Sequence, residues 1–422
     1  MDQQTPPTAA PAPFDKPARD ILALLQGKAD AAVLFTPAFN AAVPAEQLTK
    51  VIAGLKTQFG EPQSVIAVRV MDERSASIDI AFDKAVVTFT IGLQDSKLSG
   101  LFVTGTRAVG DSLEQAAVDL AALPGRTGYV LQQITDDGLK TLGESNGDER
   151  FAIASAFKLY VLAEIDRAVR AGERNWDDVL RLTQKSHPSG IAQDWPDNAP
   201  MTLQTLATLM ISVSDNSATD TLIAALGQKK LAATIRASGH RTPGDLTPLL
   251  TTQAVTGLKM PANAALRDRF LAASERDQER LLEDAEKVLS LPALDLSVYT
   301  AGPNQIDTIE WFASPADIAR LLAKLEREAD PVTRAILKIN PGIAPVNAAR
   351  WAYLGYKGGS EPGVMTMSFL ARSKQGKSYI LAAVVNDSAA EIDQARFTQL
   401  MTRMLDLLAA RENGDDAPTT RP

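Results

Sequence analysis

The spacing of apolar residues changes period along this chain, and that change limits most strongly what it can fold into. From Pro44 to Gly60 the apolar residues recur at helical intervals, with Leu48, Val51, Ile52, Leu55 and Phe59 on one face. A shorter helix is expected before it, from Ala18 to Gly27. The period then drops to two. Ser64–Val70, Ser77–Phe82 and Val86–Leu93 read as strands, separated by charged, turn-prone steps such as Asp72-Glu73, and Lys97–Thr104 as a fourth. Helices followed by an antiparallel meander make a small α+β domain over residues 21–106.

A second pattern starts near Asp111. Asp111–Leu123 is helical, Gly128–Ile134 is a strand, and helices dominate to about residue 340. Three strands follow, at Trp351–Lys357, Val364–Arg372 and Tyr379–Val385. An amphipathic helix from Ala390 to Arg411 closes the region. This order predicts a sheet with helices packed on it, over residues 111–411. The chain has 422 residues, 45% of them hydrophobic, enough for two or three cores. Residues 1–20 carry five prolines and read as a flexible leader, and residues 412–422 as a loose polar tail. A leader of this kind commonly follows a removed export signal, so a periplasmic or secreted location is expected.

Composition excludes several classes of function. The formal charge is -8, with no clustered Lys and Arg, which argues against nucleic-acid binding. The absence of cysteine rules out disulfides, thiolate metal sites and a cysteine nucleophile. Two histidines, His187 and His240, are too few for a multi-histidine metal centre, so neither metal nor cofactor is expected. No apolar run reaches the roughly 18 residues of a membrane span.

The chemistry-bearing pattern is Ser155-Ala-Phe-Lys158, at the start of a segment read as helical from Ser155 to Val169. Residues i and i+3 share a helix face, which sets a hydroxyl beside an amine. A free serine is a poor nucleophile and needs an adjacent base. Lysine serves as that base when burial or a neighbouring cation lowers its pKa. By itself the pattern is also what an N-cap serine and a solvated lysine would give. Two further motifs shift that balance. Ser214-Asp215-Asn216 follows a helix bearing Leu203, Leu206, Met210 and Val213. It reads either as a helix corner, with Asp220 placed as in a capping box, or as a proton relay at Ser214 and an amide-binding Asn216. Lys357-Gly358-Gly359-Ser360 reads either as a strand end with a glycine turn, or as a cation beside a site where a substrate approaches the backbone.

These three elements, in this order, resemble the S-x-x-K, S-D-N and K-[TS]-G signature of class A β-lactamases and penicillin-binding proteins. The resemblance covers roughly residues 111–410 and implies a β-lactamase/transpeptidase-like α+β domain, an antiparallel sheet flanked by helices. The small domain before it resembles the cystatin-like, or steroid-isomerase-like, fold. The two-domain layout is similar to that of β-lactamase-like proteins of clavulanic-acid biosynthesis. The resemblance implies Ser155 as nucleophile, Lys158 as its base and Ser214 as proton relay. It implies Asn216 holding Lys158 and the substrate, and Lys357 attracting a substrate carboxylate. The N–H groups of Ser155 and Ser360 would form the oxyanion hole, with Gly358, Gly359 and Glu361 at the substrate. The implied partner is a small acyl compound or β-lactam. The implied activity is acyl-enzyme hydrolysis, with a D,D-peptidase or a non-catalytic sensor as alternatives.

The sequence also departs from that signature. Gly358 stands where the family carries Thr or Ser, which removes a hydroxyl used on β-lactam carboxylates. No E-x-x-L-N segment supplies a deacylating glutamate. Asp245 and Glu361 are the nearby acids, and Asp245 after Pro243-Gly244 reads first as a turn former. The interval from Ser214 to Lys357, 143 positions, is longer than in class A enzymes. It includes a charged helical stretch, Asn263–Leu291, that suits a packing helix or a lid. Gly143-Glu-Ser145-Asn-Gly147 imitates a nucleophile elbow but reads as a hairpin turn. His187 and His240 read as loop or packing residues, and Trp311-Phe312 as core or pocket wall.

Overall fold

A computed structural model describes residues 13–108, 110–290 and 293–413. They form two compact units, one over the residues up to Ser112 together with those from Ala410 on, and one over Leu113–Ala409. Residues 1–12 of the expected leader and 414–422 of the expected tail lie outside the described residues.

The first unit opens with helices α1 (Asp15–Leu25), α2 (Ala31–Leu34), α3 (Pro37–Ala42) and α4 (Ala45–Phe59). Helix α1 begins inside the stretch expected to be a leader. Phe14 and Ala18 are buried, and Pro17 falls in the first turn, where its missing N–H costs nothing. Strands β1 (Pro62–Asp72), β2 (Ser75–Phe82), β3 (Ala85–Gln94) and β4 (Lys97–Ala108) follow as an antiparallel meander in sequence order. Ala76, Ile78, Ile80 and Phe82 alternate inward on β2 and join Val87, Phe89 and Ile91 of β3 under Ile21 and Leu25. The unit is α+β, with a four-stranded sheet.

The second unit begins with α5 (Leu113–Ala121), β5 (Arg126–Thr135), β6 (Gly138–Ser145), β7 (Phe151–Ala152) and α6 (Lys158–Arg170). The helical middle holds β8 (Val179–Arg181), β9 (Pro200–Thr202), α7 (Leu203–Ser212), α8 (Asn216–Leu226), α9 (Gln228–Ala237) and α10 (Thr252–Lys259). It continues through α11 (Ala264–Ala272), α12 (Glu275–Asp284), β10 (Phe312–Ala313), α13 (Pro315–Glu328), α14 (Pro331–Leu337) and α15 (Pro345–Ala348). Strands β11 (Tyr353–Glu361), β12 (Val364–Arg372) and β13 (Ser378–Asn386) and helix α16 (Gln394–Asn413) complete the chain. The main sheet is antiparallel in the order β11-β12-β13-β5-β6. Alternation along β13 fixes its two faces. Leu381, Ala383 and Val385 meet Phe397, Met401 and Leu405 of α16, while Ile380 and Ala382 meet the helical middle.

Helix starts in the middle region follow side-chain caps. Thr202, Asp215, Thr251 and Ser274 each accept from an N–H of the first turn, and Ser314 with Asp317 forms a full capping box. Asp220 is not a cap, contrary to the sequence expectation, because Asp215 already fills that place. Its buried carboxylate accepts from Ser186 Oγ at 2.6 Å and from Thr252 N and Oγ1 at 2.8 and 2.7 Å. Gly143–Gly147 is not a tight turn either. Gly143 to Ser145 end strand β6, paired to β5 from Tyr129 to Leu131.

Candidate active site

Ser155 does not open an α-helix. It sits in a 3₁₀ turn, Ala154–Phe157, and the α-helix begins at Lys158. The chain entering the turn is held tightly on two sides. Asn386 clamps Ala152 by accepting from its N–H at 2.8 Å and donating to its carbonyl at 3.0 Å. Ile153 N donates to Trp311 O at 2.9 Å, extending the β7–β10 pair. Behind the turn, Phe157 stacks on Trp311 with ring centroids 3.9 Å apart, a contact worth about 1 kcal/mol beyond its buried area. Ala154 is forced to φ +43, so the backbone is strained next to the serine.

Gly359 of β11 lies directly against this turn. A Cβ there would fall 2.5 Å from Ser155 N and from Ile153 O, so only glycine allows the approach. β11 is the edge strand of its sheet, and alternate peptide groups along an edge have no partner strand.

Two buried lysines converge on one hydroxyl. Lys158 Nζ donates to Ser214 O at 2.7 Å, Ser214 Oγ at 3.1 Å and Asn216 Oδ1 at 2.7 Å. Lys357 Nζ donates to Ser214 Oγ from the other side, also at 3.1 Å. Ser214 has φ +57, the second strained non-glycine residue at the site. Asp215, buried behind it, accepts from Ile191 N and Ala192 N as well as from its own helix. Asn216 Nδ2 donates to His187 O at 3.1 Å. Burial holds the Lys158 amine well below the ordinary lysine range, and the charge of Lys357 adds to that shift. Burial alone brings Lys357 down to about 7.

Ser155, Ser214, Lys357, Gly358, Gly359 and Ser360 line one cleft of about 270 Å³. Lys158 and Asn216 stand behind it and reach it through Ser214. The helix-face argument places Ser155 Oγ beside Lys158. Among the described residues, however, the hydrogen bonds of Lys158 go to Ser214 and Asn216, and none joins it to Ser155.

Glu361, expected at the substrate, lies elsewhere. It does not line the cleft. Its carboxyl is bound by the Lys259 ammonium, which also donates to Glu310 Oε1 at 3.2 Å, with Lys259 and Glu310 buried and Glu361 nearly so. Burial and the charge of Glu310 raise the Glu361 carboxyl well above the usual range. Replacing Lys259 with Met would leave two buried acids without a cation. Urea unfolding should show a loss of about 3–5 kcal/mol. The loss should be larger at high pH and smaller at low pH. Carboxyls raised by folding bind extra protons in the native state, and the stability this gives fades as pH rises.

The remaining candidates lie elsewhere. Asp245 ends a 3₁₀ turn and is bound by Arg150 at 2.9 Å and by Thr242 Oγ1 at 2.5 Å. Trp311 and Phe312 are core. His240 is buried, its Nε2 3.2 Å from Phe312 O, and burial lowers its pKa. Helices α11 and α12 pack through Phe270, Leu266 and Leu282, and none of their residues lines the cleft.

Two groups had escaped the sequence reading. Tyr356 lines the cleft from the strand that carries Lys357. The Lys259–Glu310 pair left only a faint trace, a lysine and a glutamate each set among apolar residues.

The chain belongs to the beta-lactamase enzyme family, whose model matches residues 113–405. It is a serine hydrolase of that family. Several solved structures are similar to the chain at low identity. A beta-lactamase from Sphaerobacter thermophilus is 23% identical, with a TM-score of 0.49, over 72% of this chain and 97% of its own. A beta-lactamase from Chitinophaga pinensis is 17% identical, with a TM-score of 0.48, over 72% and 100%. A PBP-A mutant solved as an acyl-enzyme complex with penicillin G is also 17% identical, with a TM-score of 0.48, over 72% and 96%.

Proposed function

We propose that the chain forms an acyl-enzyme at Ser155 with an ester, amide or β-lactam, and that this intermediate is released slowly. One observation carries the reading: Ser214 Oγ lies 3.1 Å from both buried lysines, in the cleft that Ser155 opens into.

Ser155 Oγ attacks the acyl carbonyl, and its proton passes to Lys158 Nζ in its neutral form. The lowered pKa of Lys158 makes that form available below the ordinary lysine range. The carbonyl oxygen takes the negative charge and faces the N–H groups of Ser155 and Ser360. Collapse breaks the bond to the leaving oxygen or nitrogen. The proton on Lys158 reaches that atom through Ser214, whose hydroxyl accepts from one side and donates on the other. Lys357 supplies the positive charge that draws an anionic substrate in. Hydrolysis then needs a base for water. Among the described residues that line the cleft there is no carboxylate, and Asp245 and Glu361 are both held in ion pairs. Lys158 is left to act twice, which supports fast acylation and slow release.

Intact-mass measurement with benzylpenicillin tests this. An adduct of one acyl group should form within minutes, map to Ser155 and outlive its formation by at least about tenfold. A protein that turns the compound over with no detectable adduct would overturn slow release. No adduct and no turnover, with simple esters as well, would overturn the reading as a whole.

A further inference from the structure

The hydroxyl missing at position 358 has a replacement in space. A Cβ on Gly358 would lie 2.0 Å from the Tyr356 hydroxyl oxygen and 2.8 Å from its Cζ. The phenol therefore occupies the volume that a serine or threonine side chain would need. A second glycine meets the same ring. A Cβ on Gly342, at φ +68, would fall 2.5 Å from Tyr356 Cζ. Phe369 packs on the ring from the sheet, with centroids 5.0 Å apart. Tyr356 is thus held at the tip between two glycines and at the side by an aromatic residue. Its residue lines the same cleft as Ser155 and Lys357, and no hydrogen bond is recorded for its hydroxyl among the described residues. Burial raises its pKa to about 12, so the phenol keeps its proton and stays a donor at neutral pH.

We propose that Tyr356 determines substrate specificity by donating a hydrogen bond to a carboxylate on the acyl substrate, beside the charge of Lys357. The inference rests on the reading of the cleft as an acyl-substrate site, and it makes that reading specific: the preferred substrates are anionic. A phenol reaches further from the backbone than a threonine hydroxyl, and Gly358 and Gly342 are the space it requires. A hydrogen bond to a charged group contributes about 10- to 100-fold in binding.

The experiment compares benzylpenicillin with its methyl ester, which has the same scaffold without the charge. Binding is measured by calorimetry in a Ser155→Ala background, so that no covalent step is needed. Acylation is measured by mass in the Ser155 protein. The parent should prefer the acid. Tyr356→Phe should reduce the acid-to-ester preference by about 10- to 100-fold. The double variant Tyr356→Ala/Gly358→Ser, which returns a hydroxyl to position 358, should recover part of it. Equal weakening of acid and ester by Tyr356→Phe would overturn the proposal, as would a parent with no preference. Preference for the acid in binding, lost in Tyr356→Phe, with no adduct in the Ser155 protein, would overturn acyl-enzyme formation and leave the role of Tyr356 standing.

Discussion

Ser155→Ala will form no covalent adduct with any β-lactam or activated ester, and hydrolysis will fall by roughly 10³- to 10⁶-fold. The size follows from how the site is divided. The oxyanion donors and Lys357 remain, so substrate still binds and its carbonyl is still polarised. What disappears is the bond between enzyme and acyl group. No cysteine exists in the chain, and Ser214 Oγ is already bound by two lysine amines. The turn geometry is set by Asn386, Trp311 and Gly359 and not by the serine hydroxyl. The variant should therefore fold, and circular dichroism should match the parent. Residual hydrolysis above a tenth of the parent rate would point to a nucleophile other than Ser155.

Lys158→Met should slow acylation by about 10²- to 10⁴-fold, the usual contribution of a positioned base. The pH profile is the more telling measurement. In the parent, acylation rises with pH as Lys158 loses its proton, and the rise comes well below the ordinary lysine range because burial and Lys357 both oppose the charged form. In Lys158→Met that rising limb should vanish. In Lys357→Met it should persist but move to higher pH, because removing a neighbouring cation lets Lys158 hold its proton longer. A limb unchanged in Lys158→Met would assign the titration to another group.

Much of this site was readable because its parts are local. Ser155 and Lys158 lie on one turn, Ser214 and Asn216 on one helix corner, and Lys357 to Gly359 on one strand, so each stands out as a short motif, and the family resemblance of the three together, more than any one spacing, joined them into a candidate site. The sheet was readable for the same reason, since β12 and β13 are apolar runs with turns at both ends. Features that depend on distant partners were not. Glu361 finds Lys259 across 102 positions, and no periodicity signals a pairing of that length. The strand ending at Ser145 was hidden because it runs straight into a real turn at Asn146-Gly147, and only pairing with β5 shows how far the strand extends. The 3₁₀ turn at Ser155 was missed because its contacts, from Asn386, Trp311 and Gly359, come from distant parts of the chain. The role open to Tyr356 is not legible in the sequence, because only the fold sets its phenol against Gly358.

The carboxylate-free lining of the cleft has a consequence for scale. On the proposed mechanism each molecule is occupied for as long as its acyl group persists. The amount of compound removed in a short exposure is then fixed by the number of protein copies, and not by a turnover number. A brief pulse of acylating compound would be met in near one-to-one proportion and then saturate the population. A slow, steady supply would be cleared at the pace of the second chemical step. Such a molecule measures dose more faithfully than it destroys its substrate.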